Sequence, residues 1–269
     1  MNLSVSNIAW EPSELPEHLT LLKELGCNGV EISPSSIWDE PVQAFLSERK
    51  QLLKLIDDNG LEVSSLHSLT YNHPELKMFG PDEKIDELKD YLFRLIDLAH
   101  DLKSPVMVYG SPQSRRVSDG NYDECFDIAV DFFQDIGKKA SSKDVYFCIE
   151  PLGPSDGCDF ITNADEAYKL IEIVDSTHFC LHLDAKAMMD VKEDYQKVFT
   201  DYGSILKHFH VGDPGLRPPG TTTGEHLKIA EAIKNSVYDG FVSVEMKRGF
   251  GPSRDTIKTA VDYVRKTYL

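Results

Sequence analysis

The sequence predicts a single-domain α/β fold of the (β/α)8 type, a TIM barrel, spanning residues 1–269. Short β-branched or aromatic runs alternate eight times with longer amphipathic segments, a pattern typical of parallel strands joined by helices. A length of 269 residues is common for one such barrel. The chain contains no Pro/Ser-rich linker or low-complexity tract that would divide it.

The strands and helices are predicted to follow one another along the whole chain. The predicted strands lie near residues 3–8, 29–32, 62–66, 105–109, 145–149, 179–183, 205–210 and 241–245. The predicted helices are Leu15 to Leu25, Val42 to Asp58, Ile85 to Leu102, Tyr122 to Ala140, Ala164 to Val174, Asp194 to Phe199, Glu225 to Lys234 and Arg254 to Thr267. In the second helix Leu52, Leu53 and Ile56 recur at helical spacing, which gives that helix one apolar face to cover the strands.

Composition and charge exclude several classes of partner. The chain has 45 acidic and 28 basic residues and a net charge of -17, which opposes nucleic-acid binding. Its five cysteines show no Cys-x-x-Cys spacing, which favours free thiols in a reducing compartment. The N-terminus lacks a basic and apolar leader, and no apolar run approaches the ~20 residues of a membrane span. We therefore expect a cytoplasmic protein with no membrane partner.

Four residues of metal-binding types end four of the predicted strands. Glu150, Asp184, His210 and Glu245 each close a short apolar run. Because the active sites of such barrels lie at the C-terminal mouth of the strands, these side chains should converge there. Strand alternation supports this, since the residues just before three of the candidates are apolar and face the helices: Ile149, Leu183 and Val244. A mostly oxygen-donor site with one imidazole suits Mn²⁺, Mg²⁺, Co²⁺ or Zn²⁺.

Six segments, spread over nearly the whole chain, resemble one family. They are Gly29-Val-Glu-Ile32, Gly110-Ser-Pro112 with Arg115, Ile149-Glu-Pro151, Leu183-Asp184, His210-Val-Gly-Asp213 and Tyr238-Asp-Gly-Phe-Val-Ser-Val-Glu245. Their order and positions resemble the xylose-isomerase-like barrel superfamily, in particular the sugar and sugar-phosphate isomerases and epimerases that include the tagatose 3-epimerase group.

This resemblance implies a divalent-metal-dependent isomerase or epimerase of a sugar or sugar phosphate. It implies one metal ion held by Glu150, Asp184, His210 and Glu245, with the two glutamates also acting as acid and base. A proton beside the carbonyl would be removed through a metal-stabilised cis-enediolate. Its return to the other face would give epimerisation, and its return to the neighbouring carbon would give isomerisation. The partner implied is a small-molecule carbohydrate, and a homo-oligomer is left open.

Several further residues are candidates for substrate binding. The family usually has a histidine three residues after the strand-six aspartate, where this chain has Ala187. Lys186 is either a substitute for that histidine or an exposed loop lysine. Arg217 stands at roughly the distance from His210 of a substrate-binding arginine in the family.

His67 either contacts substrate or is a hydrogen-bonded structural histidine. Arg115, in the loop after strand four near the expected mouth, and Lys247 either bind substrate or are solvated. Trp10 is a candidate for an apolar wall against the sugar.

Three inward polar residues have structural interpretations as well. Glu31 either orients a neighbouring metal ligand or is a paired structural carboxylate. His182 and His208 share the inward face with Asp184 and His210 but lie one layer lower, so we expect them to pack and hydrogen-bond there.

Other functions on the same barrel remain open at this stage. A polyol or inosose dehydratase would use the same metal and enolisation, followed by loss of a hydroxyl. A catalytically silent barrel would only bind a sugar. An apurinic-site endonuclease is disfavoured, because strand four ends Val106-Met-Val-Tyr-Gly110 without a histidine, Ala187 occupies another ligand position, and the charge opposes DNA binding.

Overall fold

Eight parallel strands close into a barrel in chain order, in a computed structural model that describes residues 1–117, 121–222 and 225–269. The strands are β1 Asn2–Ser6, β2 Gly29–Ile32, β3 Glu62–Leu66, β4 Val106–Tyr109, β5 Tyr146–Ile149, β6 Phe179–Asp184, β7 Leu206–Val211 and β8 Phe241–Val244. β1 pairs in parallel with both β2 and β8, which closes the ring. The predicted fold class is confirmed.

Helices connect the strands around the outside of the barrel. They are α1 Leu15–Glu24, α2 Leu46–Asp58, α3 Asp82–Asp101, α4 Tyr122–Ser142, α5 Ala164–Val174, α6 Ala185–Asp190, α7 Tyr195–Tyr202, α8 His226–Lys234 and α9 Ser253–Tyr268. The sequence analysis did not predict α6, which follows β6 directly.

Two element boundaries differ from the prediction because short 3₁₀ turns intervene. β1 ends at Ser6, since Asn7–Ala9 form a 3₁₀ turn immediately after it. α2 begins at Leu46, four residues later than predicted, since Pro41–Gln43 form a separate 3₁₀ turn.

Strand alternation sorts the residues as predicted. The main apolar core, between strands and helices, contains the outward-facing Ile149, Leu183 and Val244. A small cluster inside the barrel joins Cys148 of β5 and Cys180 of β6 to valines of β4. Polar residues of the same inward face therefore emerge at the C-terminal mouth.

The composition-based expectations can be compared with two structural findings. All five cysteines are buried and free of disulfides. Among the described residues, we find no helix with the length and apolar character needed to cross a membrane.

Candidate metal centre and adjoining cavity

The four predicted ligands meet at the C-terminal mouth of the barrel. Asp184 and His210 are direct partners in the β6–β7 register, and Glu150 and Glu245 follow β5 and β8. His210 Nδ1 lies 3.6 Å from Glu245 Oε2 and 4.0 Å from Asp184 Oδ2. Ligand atoms of Asp184, His210 and Glu245 all lie within 4.8 Å of one another, and Glu150 forms an overlapping group with His182 and His210.

The donor atoms of this cluster fit a divalent cation. Asp184 Oδ2 and His210 Nδ1 are buried and have no hydrogen-bond partner in the described part of the chain. Burying such atoms unpaired costs about 1–3 kcal/mol each, so native structures seldom leave them without a partner. Three carboxylates and one imidazole that share a buried site are a ligand set for a cation such as Mn²⁺, Co²⁺ or Zn²⁺.

Glu31 fixes the orientation of the His210 ring. Its Oε1 lies 2.7 Å from His210 Nε2, and its Oε2 accepts a hydrogen bond of 2.9 Å from Ser243 Oγ. Ser65 Oγ also donates to Oε1. Because Nε2 is engaged by Glu31, Nδ1 is the nitrogen left to face Asp184 and Glu245. Glu31 therefore orients His210, a candidate metal ligand, and is also paired within the barrel, so its contacts agree with both roles that the sequence analysis considered.

Asp184 is positioned by the helix that it begins. Its Oδ1 accepts hydrogen bonds from Lys186 N at 2.5 Å and Ala187 N at 3.1 Å, which caps the N-terminus of α6. This cap uses one carboxylate oxygen and leaves Oδ2 for the cluster. The aspartate followed by Ala-Lys-Ala-Met-Met was the signal by which α6 could have been found.

Gly110, after β4, provides the space that the Glu150 carboxylate occupies. A Cβ added at Gly110 would lie 2.3 Å from Glu150 Oε2 and 3.3 Å from Leu152 Cδ1. The backbone there is not in the left-handed region, so the constraint at this position is the close approach of Glu150.

The two glutamates of the cluster have opposite electrostatic surroundings. Burial raises the pKa of Glu150, and the carboxylates of Glu245 and Asp184 raise it further. Burial also acts on Glu245, but His210 and the hydrogen-bonded His67 outweigh it and lower the pKa of that group. In the protein without a cation, Glu150 thus holds a proton at pH values at which Glu245 is ionised. Such a divergence is typical of an acid and base pair.

A cavity of about 360 Å³ opens above the cluster. That volume lies within the range of small-molecule sites, about 300–1,000 Å³. Its wall combines polar and apolar side chains: His67, Glu150, Asp156, Lys186, Glu245 and Leu216. A larger hollow of about 750 Å³ lies outside the barrel beside α7 and α8, and none of the four predicted ligands lines it.

His67 lines this cavity and supports Glu245. Its Nδ1 lies 3.2 Å from Glu245 Oε1, and its Nε2 is hydrogen-bonded to Ser6 Oγ at 2.6 Å. Each nitrogen of the ring therefore has a structural partner, and one edge of the ring borders the cavity.

The position of Arg115 contradicts the prediction that it contacts a substrate directly. The side chain is fully buried, and its guanidinium donates to the backbone carbonyls of Gly110, Glu150, Phe160 and Ile161 at 2.5–3.3 Å. The sequence analysis expected a residue near the mouth. Arg115 instead ties the β4 and β5 loops together behind the Glu150 carboxylate.

The predicted position of Trp10 is also wrong. It is buried and stacks on His18 of α1, with ring centroids 4.9 Å apart and nearly parallel planes. The 3₁₀ turn after β1 directs the indole into the core, so Trp10 forms no wall of the cavity.

Arg217 and Lys247 lie at the exposed rim, outside the cavity lining. Arg217 packs its guanidinium over the Phe250 ring at 5.5 Å, and Lys247 Nζ lies 5.9 Å from the same ring. The backbone of Arg217 pairs with that of Asp213. Both side chains thus lie over the Phe250 ring and not at the metal cluster.

Lys186 differs from the favoured expectation of an exposed loop lysine. Its side chain is 9% exposed and donates to both carboxylate oxygens of Asp156, at 2.9 and 3.0 Å. Burial alone would lower the pKa of Lys186, but the carboxylates of Asp184, Glu245 and Asp156 outweigh it and raise the pKa. Sequence reasoning underrated this residue because lysines are almost always exposed.

The two lower histidines pack beneath the cluster, as expected, but neither ring nitrogen of His182 has a hydrogen-bond partner in the described part of the chain. His208 Nε2 lies 3.1 Å from Glu31 Oε1. The His182 ring contacts His210 edge to face, with centroids 4.2 Å apart, and its Nε2 lies 3.8 Å from Glu150 Oε1. They form the floor of the site.

Comparison with known proteins identifies similar barrels. A family model described as xylose isomerase-like TIM barrel matches residues 19–267. The D-psicose 3-epimerase of Ruminiclostridium cellulolyticum is 26% identical over 117 residues, which cover 44% of this chain and 40% of that relative.

Solved structures share the architecture over the full length. The 3-keto-D-glucoside 4-epimerase of E. coli superposes with a TM-score of 0.83 at 16% identity, covering 99% of both chains. The D-psicose 3-epimerase of Clostridium cellulolyticum H10, determined with D-tagatose, superposes with a TM-score of 0.83 at 17% identity, covering 100% of this chain and 99% of that one. At these identities the likeness shows the shared fold.

Proposed function

Because the chain belongs to the xylose isomerase-like TIM barrel family, we propose that it is a divalent-metal-dependent epimerase or isomerase of a sugar or sugar phosphate. One observation carries this proposal. Asp184 Oδ2 and His210 Nδ1 lie buried without hydrogen-bond partners among the described residues, in a cluster with two glutamates that line a sugar-sized cavity. The epimerase activities in the names of the similar proteins agree with it.

Glu150, Asp184, His210 and Glu245 would hold the cation. When bound there, a divalent cation would stabilise negative charge on neighbouring substrate oxygens as a proton leaves the carbon between them. Glu31 keeps His210 Nδ1 turned toward this position, and the Asp184 cap keeps Oδ2 turned toward it. The protein's contribution is thus a donor set arranged before the substrate arrives.

Glu245 and Glu150 would move the proton. Glu245, whose carboxylate is supported by His67 at 3.2 Å, would remove a proton from carbon. Glu150, the other glutamate of the cavity lining, would deliver one. They follow β5 and β8, three strands apart around the ring, so they would reach a bound sugar from different sides. Two faces of one carbon are what epimerisation requires.

Nucleic-acid cleavage on the same fold is not supported. The chain has a net charge of -17, and Ala187 occupies a ligand position of those enzymes. That residue packs against Leu152 and Cys158 in a small apolar cluster. We therefore retain only the carbohydrate substrate.

The test is hydrogen exchange at carbon, followed by NMR in D₂O. The protein is reconstituted with Mn²⁺, Co²⁺, Mg²⁺ or Zn²⁺ and incubated with ketoses, aldoses and their phosphates, including D-psicose, D-tagatose and L-ribulose. We expect deuterium beside the carbonyl and a new epimer or isomer, both lost on chelation.

Three outcomes would contradict the proposal. Exchange that persists after complete metal removal would refute the role of the cation. A dehydrated product would place the protein among the lyases. Stoichiometric metal with no exchange for any sugar would leave a binding protein.

A further inference from the structure

The Lys186–Asp156 pair stands where a substrate contact is otherwise missing. Ala187, at the position of the family's usual histidine, packs against Leu152 and Cys158. Lys186, one residue earlier, lines the cavity together with Asp156, Glu150 and Glu245. The segment after β5 and the first turn of α6 thus bring a carboxylate and an ammonium, respectively, to the cavity wall.

The burial of Lys186 argues against an incidental ion pair at the surface. Its side chain is 9% exposed and that of Asp156 is 25% exposed. Taking an ammonium out of water is costly unless carboxylates compensate it. Asp156 supplies both of its oxygens at 2.9 and 3.0 Å. The pair is therefore held in one arrangement before any ligand enters.

The arrangement leaves unused hydrogen-bonding capacity on two residues that line the cavity. An ammonium has three N–H donors, of which the two Asp156 oxygens engage two. A carboxylate accepts about four hydrogen bonds. A sugar hydroxyl that accepts from Lys186, with a neighbouring hydroxyl that donates to Asp156, matches this pattern.

We propose that Lys186 and Asp156 form a specificity pair that binds two neighbouring hydroxyls of the substrate, away from the carbons at the metal. The assignment rests on the proposed sugar epimerase or isomerase function and deepens it. A site built to hydrogen-bond a hydroxyl discriminates strongly against an analogue that lacks it, because its own buried polar groups are then left unpaired. The pair therefore selects substrates hydroxylated at that position.

The experiment pairs variants with substrate analogues. Using Mn²⁺-loaded protein, we would measure kcat and KM for exchange with the panel ketose that the wild type exchanges fastest, and with its monodeoxy analogues. We expect the wild type to lose about 10- to 100-fold in kcat/KM at each of two neighbouring hydroxyls, the range for a hydrogen bond to a charged group. Lys186→Met should lower kcat/KM for the parent ketose and treat one of these two analogues and the parent alike.

Two further variants keep the test decisive. Lys50→Met makes the same chemical change at an exposed site on α2 and should behave as wild type. Asp156→Asn keeps Lys186 and should weaken discrimination at the same or the adjacent hydroxyl. This variant tests the pair even if Lys186→Met does not fold. Circular dichroism and bound-metal content are measured for each protein.

The outcomes separate this assignment from the proposed function. If Lys186→Met and Asp156→Asn exchange the parent ketose and discriminate at every hydroxyl as the wild type does, the pair has no role in specificity, while the proposed function stands. If the metal-loaded wild type exchanges no sugar, the proposed function is wrong and the pair's role is refuted with it.

Discussion

Gly110→Ala should separate catalysis from folding, because the added methyl group meets the end of the Glu150 side chain, for which we propose a catalytic role. The new Cβ would lie 2.3 Å from Glu150 Oε2, below the 3.0 Å that real Cβ contacts keep, so the carboxylate must move by roughly 0.7 Å or more. Since a side chain can turn away at a cost of about 1 kcal/mol, the fold should survive. A shift of this size at a reacting group costs about 10²-fold in rate.

The assay is deuterium exchange at saturating Mn²⁺ together with thermal unfolding of the same samples. We expect kcat to fall about 10²-fold while Tm falls by roughly 2–4 °C. Gly80→Ala is the matched control, because its Cβ meets only Lys84 Cβ at 4.0 Å. Wild-type turnover by a folded, metal-loaded Gly110→Ala protein would refute the placement of Glu150 in the reaction.

Three other predictions follow from contacts around the cluster. Glu31→Gln removes the charge that orients His210 and should weaken Mn²⁺ binding about 10- to 100-fold by calorimetry; an unchanged Kd would contradict that role. Burial lowers the pKa of His210, but Glu31 and Glu245 outweigh it and raise the pKa to about 10. A metal must therefore displace a proton, so affinity should rise between about pH 6 and pH 8 with proton release into the buffer; a pH-independent Kd would argue against coordination by His210. Arg115→Met leaves buried backbone carbonyls without a hydrogen-bond donor, so it should lower the free energy of unfolding in urea by at least ~3 kcal/mol. An equal loss for Arg116→Met, at an exposed position, would contradict this.

The fold and the convergence of the ligands could be predicted from the sequence because both depend on local periodicity. A period of two along each strand, with apolar residues before Glu150, Asp184 and Glu245, determines which face enters the barrel. Parallel strand order then brings their C-terminal ends to one mouth, where the structure has them.

The cavity wall could not be predicted in the same way, because it depends on how loops fold over the mouth. Trp10 follows β1 in sequence, yet a 3₁₀ turn directs it into the core. Arg115 follows β4, yet buried carbonyls from the next loop take up its guanidinium. Lys186 is buried beside Asp156, 30 residues earlier, which accepts its hydrogen bond, and near Glu245 of the last strand. No local pattern encodes such loop-to-loop contacts.

The central claim, that Glu150 and Glu245 act on opposite sides of one carbon, is tested most directly by isotope exchange in single variants. Metal-saturated Glu150→Gln and Glu245→Gln are each incubated in D₂O with the two epimers of the substrate separately. We predict that each variant exchanges the proton of only one epimer, a different one in each case, and that neither variant interconverts them. Epimerisation at the wild-type rate by either variant, or exchange of both epimers by both, would contradict the paired-glutamate mechanism.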